Sequence, residues 1–108
     1  MKRSDVWWVN FDPSVGGEIK KKRPAIIVSN NASNKFLNRV QVIPLRSKIG
    51  RNYPSEVLID FNNRKNTAMA DQIATVSKQR LINHAGNVSL SDMLKIEHVV
   101  KIQLGILK

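Results

Sequence analysis

Arg23 stands directly before Pro24 and the apolar run Ala25-Ile26-Ile27-Val28, and behind a loop that holds Gly16, Gly17, Glu18 and the cations Lys20, Lys21 and Lys22. An arginine at the mouth of a buried strand sits on rigid backbone, so its guanidinium can be aimed at a phosphate. The two glycines open loop conformations closed to other residues, and Pro24 fixes where the strand begins. Arg23 is therefore the cation of this run expected to be locked in place, while the lysines supply general attraction. Glu18 offers a carboxylate that orients Arg23 or holds the loop; as a solvated partner of the lysines it is worth little. A second group, Pro44-Leu45-Arg46-Ser47-Lys48, sets a hydroxyl between two cations at a strand end. That pattern suits a phosphodiester, with Ser47 as hydrogen-bond donor.

Other candidates carry weaker signals. Asp71-Gln72 interrupts an apolar stretch, and a carboxylate on a buried strand needs a partner; structural pairing and a place in the site are both open. Trp7, Trp8 and Phe11 are able to stack on bases beside a basic groove. Core packing is the stronger reading for the tryptophans, which leaves Phe11, at the strand's exit toward the loop, as the expected substrate contact. His84 and His98 read as structural or surface residues.

The elements that must position these groups follow from patterning. Val6 to Phe11 reads as a strand closed by Asp12-Pro13, and Pro24 to Ser29 as a central buried strand that starts on its proline. Asn30 to Asn34 is a polar break. Arg39 to Leu45 alternates, with Pro44 expected at a strand end or bulge. Ser47 to Pro54 is a basic loop, Glu56 to Phe61 a strand, Asn62 to Asn66 a turn, and Thr67 to Val76 a fifth strand. Ser91 is the expected N-cap of a terminal helix whose inner face carries Met93, Ile96, Val100, Leu104 and Leu107. Strands first and a helix last predict a mainly β, α+β protein: a small, curled antiparallel sheet or partly open barrel with a C-terminal helix.

At 108 residues the chain reads as one domain over 1–108. Its 18 Lys+Arg against 8 Asp+Glu, net +10, favour a polyanionic partner: RNA, DNA or an acidic protein segment. There is no cysteine, and the two histidines lack ligand partners at metal spacing, so neither a zinc site nor another cofactor is expected. The N-terminus does not read as a signal peptide, and no apolar run approaches the roughly 18 residues of a membrane span. The expected setting is cytoplasmic, without a membrane partner.

In order along nearly the whole chain, Val9-Asn10-Phe11-Asp12-Pro13 with Gly16 and Glu18, Arg23-Pro24-Ala25-Ile26-Ile27-Val28-Ser29, Val42-Ile43-Pro44 with Ser47, Tyr53-Pro54-Ser55-Glu56-Val57, Ala70-Asp71-Gln72-Ile73 and Arg80-Leu81 resemble the MazF/PemK (Kid)-like toxins of bacterial toxin–antitoxin systems. The ordered set, not any one element, carries the resemblance. It implies an SH3-like barrel, a homodimer, metal-independent cleavage of single-stranded mRNA to 2′,3′-cyclic phosphate and 5′-hydroxyl ends, and neutralisation by an acidic antitoxin.

By the same resemblance Arg23 matches the family's catalytic arginine, and Glu18 its loop glutamate. The family's Thr/Ser catalytic pair follows the strand-end proline; here Arg46 takes the first of the two places and Ser47 the second, which makes Ser47 the catalytic candidate. Asp71 and Gln72 fall in supporting places, and Phe11, Lys20, Arg46 and Lys48 along the RNA path. Some relatives use an arginine two residues before the aspartate and a histidine in the basic loop, where this chain has Met69 and Gly17. Two rival readings share the fold: a CcdB-like gyrase inhibitor that is not an enzyme, and a basic barrel that binds RNA without cutting it. The Arg23 and Ser47 pair is needed for the nuclease and dispensable for a gyrase poison.

Overall fold

Burial alternates along the strands because successive side chains of a strand point to opposite faces, and here both faces of the central strands are covered. The computed structural model describes residues 1–47, 50 and 52–107. Within them run β1 (Asp5–Asn10), β2 (Lys22–Ile27), the short helix α1 (Asn31–Phe36), β3 (Arg39–Arg46), β4 (Glu56–Phe61), β5 (Arg64–Met69), β6 (Ala74–Ser77), β7 (Leu81–Asn87) and the terminal helix α2 (Leu90–Gln103). Pairing is antiparallel throughout, in the order β4-β5-β3-β2-β1-β7, with β6 added on β3. The mainly β architecture with a C-terminal helix is the one expected; the sheet is curled and open, its path ending on β4 and β7.

Ile26, Ile43, Leu45 and Ile59 face α2 and pack with Met93, Ile96 and Val99. Their neighbours Ala25, Ile27, Val40 and Val42 face the other way and pack with Val9, Phe11 and Val76. This is why β2 from Pro24 onward reads as one unbroken apolar run. Burying a side chain such as Ile26 fully contributes about 1.5–3 kcal/mol.

Two prolines sit where the ladder does not need their missing N–H. Pro24 is the third residue of β2, not its first, and lies outside the β2–β3 ladder, which starts at Ala25. Pro44 does not end β3: it falls between the stretch paired with β6, which stops at Val42, and the stretch paired with β5, which starts at Leu45. The strand therefore changes partner at its proline and continues to Arg46, carrying Ser47 to the sheet's rim.

Several expected elements are corrected. Asn30 is an N-cap whose side chain accepts the Ser33 amide at 2.8 Å, so the polar break holds α1. Thr67 to Val76 is not one strand: a 3₁₀ turn over Ala70–Gln72 separates β5 from β6. The β4–β5 turn is shorter than expected, with Asn62 and Asn63 at φ 53° and 60° and β5 beginning at Arg64. Two left-handed residues make the tight hairpin turn that follows the sheet's twist, and asparagine tolerates it. β7, absent from the sequence reading, pairs with β1 through two register shifts.

The cap of α2 is Ser89 instead of Ser91, its hydroxyl accepting the Asp92 amide at 3.2 Å. Asp92 is itself buried and accepts the Asp60 amide at 2.9 Å, tying α2 to β4. On the helix Met93 and Ile96 are buried as expected and Val100 packs half-buried against the core, with Val99 buried beside it, whereas Leu104 and Leu107 lie past the helix end at Gln103 and are exposed.

Candidate functional site

A groove of about 540 Å³ opens where β1, β2, the end of β3 and the β4–β5 hairpin meet, and it brings Arg23 and Ser47 together. Lys21, Lys22 and Arg64 line it as well, and Trp8 forms part of its wall. Among the described residues no carboxylate lines the groove or forms an ion pair with any of these four cations. Such a surface concentrates positive potential and draws in an anion.

Local backbone explains how Arg23 is held. Lys21 sits at φ 67°, a left-handed turn just before β2. Its amide donates to Asp12 Oδ1 at 3.0 Å, and its carbonyl accepts the Phe11 amide at 2.9 Å. Arg23 pairs with Val9 across the ladder, and its Nε donates to the Lys20 carbonyl at 3.1 Å. One edge of the guanidinium is thereby occupied by the loop, leaving its other N–H groups for a phosphate. Lys20 supplies backbone to this arrangement, and its side chain does not line the groove.

The remaining expected residues lie elsewhere. Glu18, Asp71, Gln72 and Phe11 line a separate cavity of about 290 Å³, together with Arg80. Glu18 does not orient Arg23: its Oε1 accepts the Val15 amide at 2.6 Å and closes the loop on itself. Gln72 clasps the same loop from across the fold, accepting the Ile19 amide and donating to the Gly17 carbonyl, both at 3.1 Å. Arg80 Nη1 donates to the carbonyls of Asn10 at 3.0 Å and Asp12 at 2.6 Å, fixing the loop's first residues. Asp71 is exposed on the 3₁₀ turn, not buried on a strand, so the need for a buried partner does not arise.

Phe11 and Trp8 exchange the roles expected of them. Phe11 is 7% exposed and packs into the core with Val9 and Ile27, whereas Trp8 is 39% exposed in the cationic groove. Alternation along β1 accounts for it, since Phe11 shares the inward face of Val9 and Trp8 does not. Arg46 does not line the groove: its guanidinium meets Glu56 at 2.6 and 3.4 Å, with the Glu56 side chain 4% exposed. Lys48 lies outside the described residues. Arg64 had no motif to mark it; the signal was available only as a cation directly after the Asn62-Asn63 hairpin turn. Trp7 and His84 pack together with ring centroids 5.6 Å apart, in keeping with a structural histidine, and His98 is exposed. Among the described residues no group of three His, Cys, Asp or Glu side chains is placed to share a metal ion, and no helix is long and apolar enough to cross a membrane.

Comparison with known proteins gives this geometry a context. The sequence model of a PemK-like, MazF-like toxin of type II toxin-antitoxin systems matches residues 2–104. Endoribonuclease MazF9 of Mycobacterium tuberculosis is 30% identical over 98% of each chain. Endoribonuclease EndoA of Bacillus subtilis is 28% identical over 99% of this chain and 97% of its own. Among solved structures, an endoribonuclease in complex with its cognate antitoxin from a mycobacterial species superposes with a TM-score of 0.83 at 26% identity, covering 100% of this chain and 98% of that one. MazF of Deinococcus radiodurans shares the fold with a TM-score of 0.86 at 22% identity, over 97% and 96% of the two chains.

Proposed function

Because the chain belongs to the PemK-like, MazF-like toxin family of type II toxin-antitoxin systems, we propose that it is the toxin of such a system, a cytoplasmic endoribonuclease that cuts single-stranded mRNA and so arrests translation. The observation that carries the proposal is the shared groove of Arg23 and Ser47, lined by cations and free of carboxylates among the described residues. Relatives named endoribonuclease over almost their full length support the activity, and a structural relative in complex with its cognate antitoxin supports an antitoxin partner. A homodimer belongs to the same reading.

The chemistry requires no group beyond the substrate's own hydroxyl and these side chains. The ribose 2′-hydroxyl attacks the adjacent phosphorus, a bond forms from the 2′-oxygen, and the bond to the 5′-oxygen of the next nucleotide breaks. The proton of the 2′-hydroxyl leaves to solvent and the departing 5′-oxygen gains one, giving a 2′,3′-cyclic phosphate and a 5′-hydroxyl. Negative charge builds on the phosphoryl oxygens as phosphorus becomes five-coordinate. Arg23 neutralises that charge from a fixed position, and the Ser47 hydroxyl donates a hydrogen bond to it. Arginine stays protonated at neutral pH, so charge stabilisation is its part here.

The test uses purified protein and a long single-stranded RNA in excess EDTA, with the new ends mapped. Wild-type protein should cleave, leaving cyclic phosphate ends, and Arg23→Ala should lose about a hundredfold or more in rate. Intact RNA with wild-type protein would sink the nuclease and favour an inhibitor or a non-cutting RNA binder on the same fold. Cleavage that disappears only in EDTA would sink the metal-free route.

A further inference from the structure

We propose that Arg64 and Trp8 form a second nucleotide station in the groove, Arg64 holding the phosphate next to the scissile one and Trp8 stacking the intervening base. The proposal rests on the RNA-cleaving reading and assigns it two binding residues outside the Arg23 and Ser47 pair.

Register places Arg64 at a usable distance. The β3–β5 ladder runs through Leu45 opposite Ala68 and Arg46 opposite Thr67, so the next positions along the two chains are Ser47 and Asn66. Arg64 lies two residues further along β5, about 7 Å at the rise of an antiparallel strand and on the same face by alternation. That is the length scale of one nucleotide step.

The residues around Arg64 hold it there. The Asn62-Asn63 turn is tight, and buried Asn66 donates its side-chain N–H to the Arg64 carbonyl at 3.3 Å. Lys65, between them, points to the other face and pairs with Asp60 at 3.0 Å. The hairpin thus sorts its two adjacent cations, one bound to a carboxylate and one facing the groove with no carboxylate against it among the described residues.

Trp8 completes the station from the opposite strand. It pairs with Pro24 in the β1–β2 ladder, one position from Val9 opposite Arg23. Single exposed apolar side chains are ordinary on protein surfaces. An indole 39% exposed in a groove also lined by Lys21, Lys22, Arg23 and Arg64 is different, because a base needs an aromatic face and its flanking phosphates need charge.

Equilibrium binding of a fully 2′-O-methylated RNA oligonucleotide, which lacks the attacking hydroxyl, tests the station over a range of salt concentrations. Arg64→Ala should make the dependence of log affinity on log salt shallower by about 0.7, the share of one phosphate contact on a single strand. Arg64→Lys should restore the slope, and Lys65→Ala should leave it at the wild-type value. Trp8→Ala should weaken binding about tenfold with no change in slope, and Trp8→Phe should recover part of the loss. Circular dichroism and thermal melts confirm that each variant is folded. A wild-type slope for Arg64→Ala, or wild-type affinity for Trp8→Ala, overturns the station while leaving the nuclease reading intact. Failure of the wild-type protein to bind RNA at all removes both together.

Discussion

Arg46 shows what a residue-level reading of sequence reaches and where it stops. Beside Ser47 at a strand end it reads as a cation for RNA, but its guanidinium is turned onto Glu56, ten positions along the chain. Burial opposes ionisation of Glu56, yet the hydrogen bond from Arg46, the Tyr53 amide at 2.9 Å and the Arg46 charge together outweigh it and hold the carboxyl below its ordinary value of 4.5. A folded-state value below the unfolded one means that the stabilisation is complete above the unfolded value and is lost as pH falls through the folded one. Glu56→Gln should therefore cost about 1–2 kcal/mol near neutrality, with the gap to wild type closing below about pH 4. Urea unfolding across pH measures it, and a gap that is constant with pH would show that the charge is not what matters. Arg46→Ala strands a buried carboxylate and should cost more, about 2–3 kcal/mol, toward the low end for a buried pair because Arg46 retains some solvent contact. A loss smaller than that of Glu56→Gln in the same titration would overturn this account. Arg23 was legible because it adjoins Pro24 at the start of an apolar run, and Ser47 because it follows closely on Pro44; the Glu56 pairing was not, since it depends on β3 and β4 being brought to either side of their shared neighbour β5.

The loop from Asp12 to Lys21 shows the same limit for whole elements. Its glycines and cations mark it as a loop, but distant residues hold it: Gln72 from the 3₁₀ turn after β5 and Arg80 from a second 3₁₀ turn just before β7. The apolar end of β2 was visible in the sequence because burial of Ala25, Ile26 and Ile27 on both faces leaves no polar position there. β7 was not, since Leu81–Asn87 is mostly exposed, lacks a regular apolar alternation and is a strand because β1 offers it a ladder. α1 was hidden for a related reason, its asparagines and serine resembling a turn until Asn30 caps them. Gln72→Ala removes both hydrogen bonds to the loop and should cost about 1–2 kcal/mol. The local effect is the sharper one: trypsin should cut after Lys20, Lys21 or Lys22 several times faster than in wild type under native conditions, because the basic loop opens without global unfolding. Unchanged cleavage with unchanged stability would mean that Gln72 does not hold the loop.

At the scale of the molecule, net charge was readable directly and its placement was not. The chain carries +10, and folding gathers Lys21, Lys22, Arg23 and Arg64 along one groove while Arg3, Arg46 and Lys65 are drawn onto Glu97, Glu56 and Asp60. Folding thus divides the cations into those that hold the structure together and those that face outward to an anion. An acidic antitoxin segment and an RNA strand are both polyanions, so both answer to the same field, and occupancy by one raises the electrostatic cost of the other. The cognate antitoxin's acidic segment, as a synthetic peptide, should accordingly displace the 2′-O-methylated oligonucleotide from the protein. Its affinity should fall about tenfold or more between about 50 and about 500 mM salt, as the screening length contracts. Removing the peptide's carboxylates by amidation should abolish most of that salt dependence. Binding that is indifferent to salt, with RNA still bound, would instead place the antitoxin on an apolar surface away from the groove and separate neutralisation from occupancy of the site.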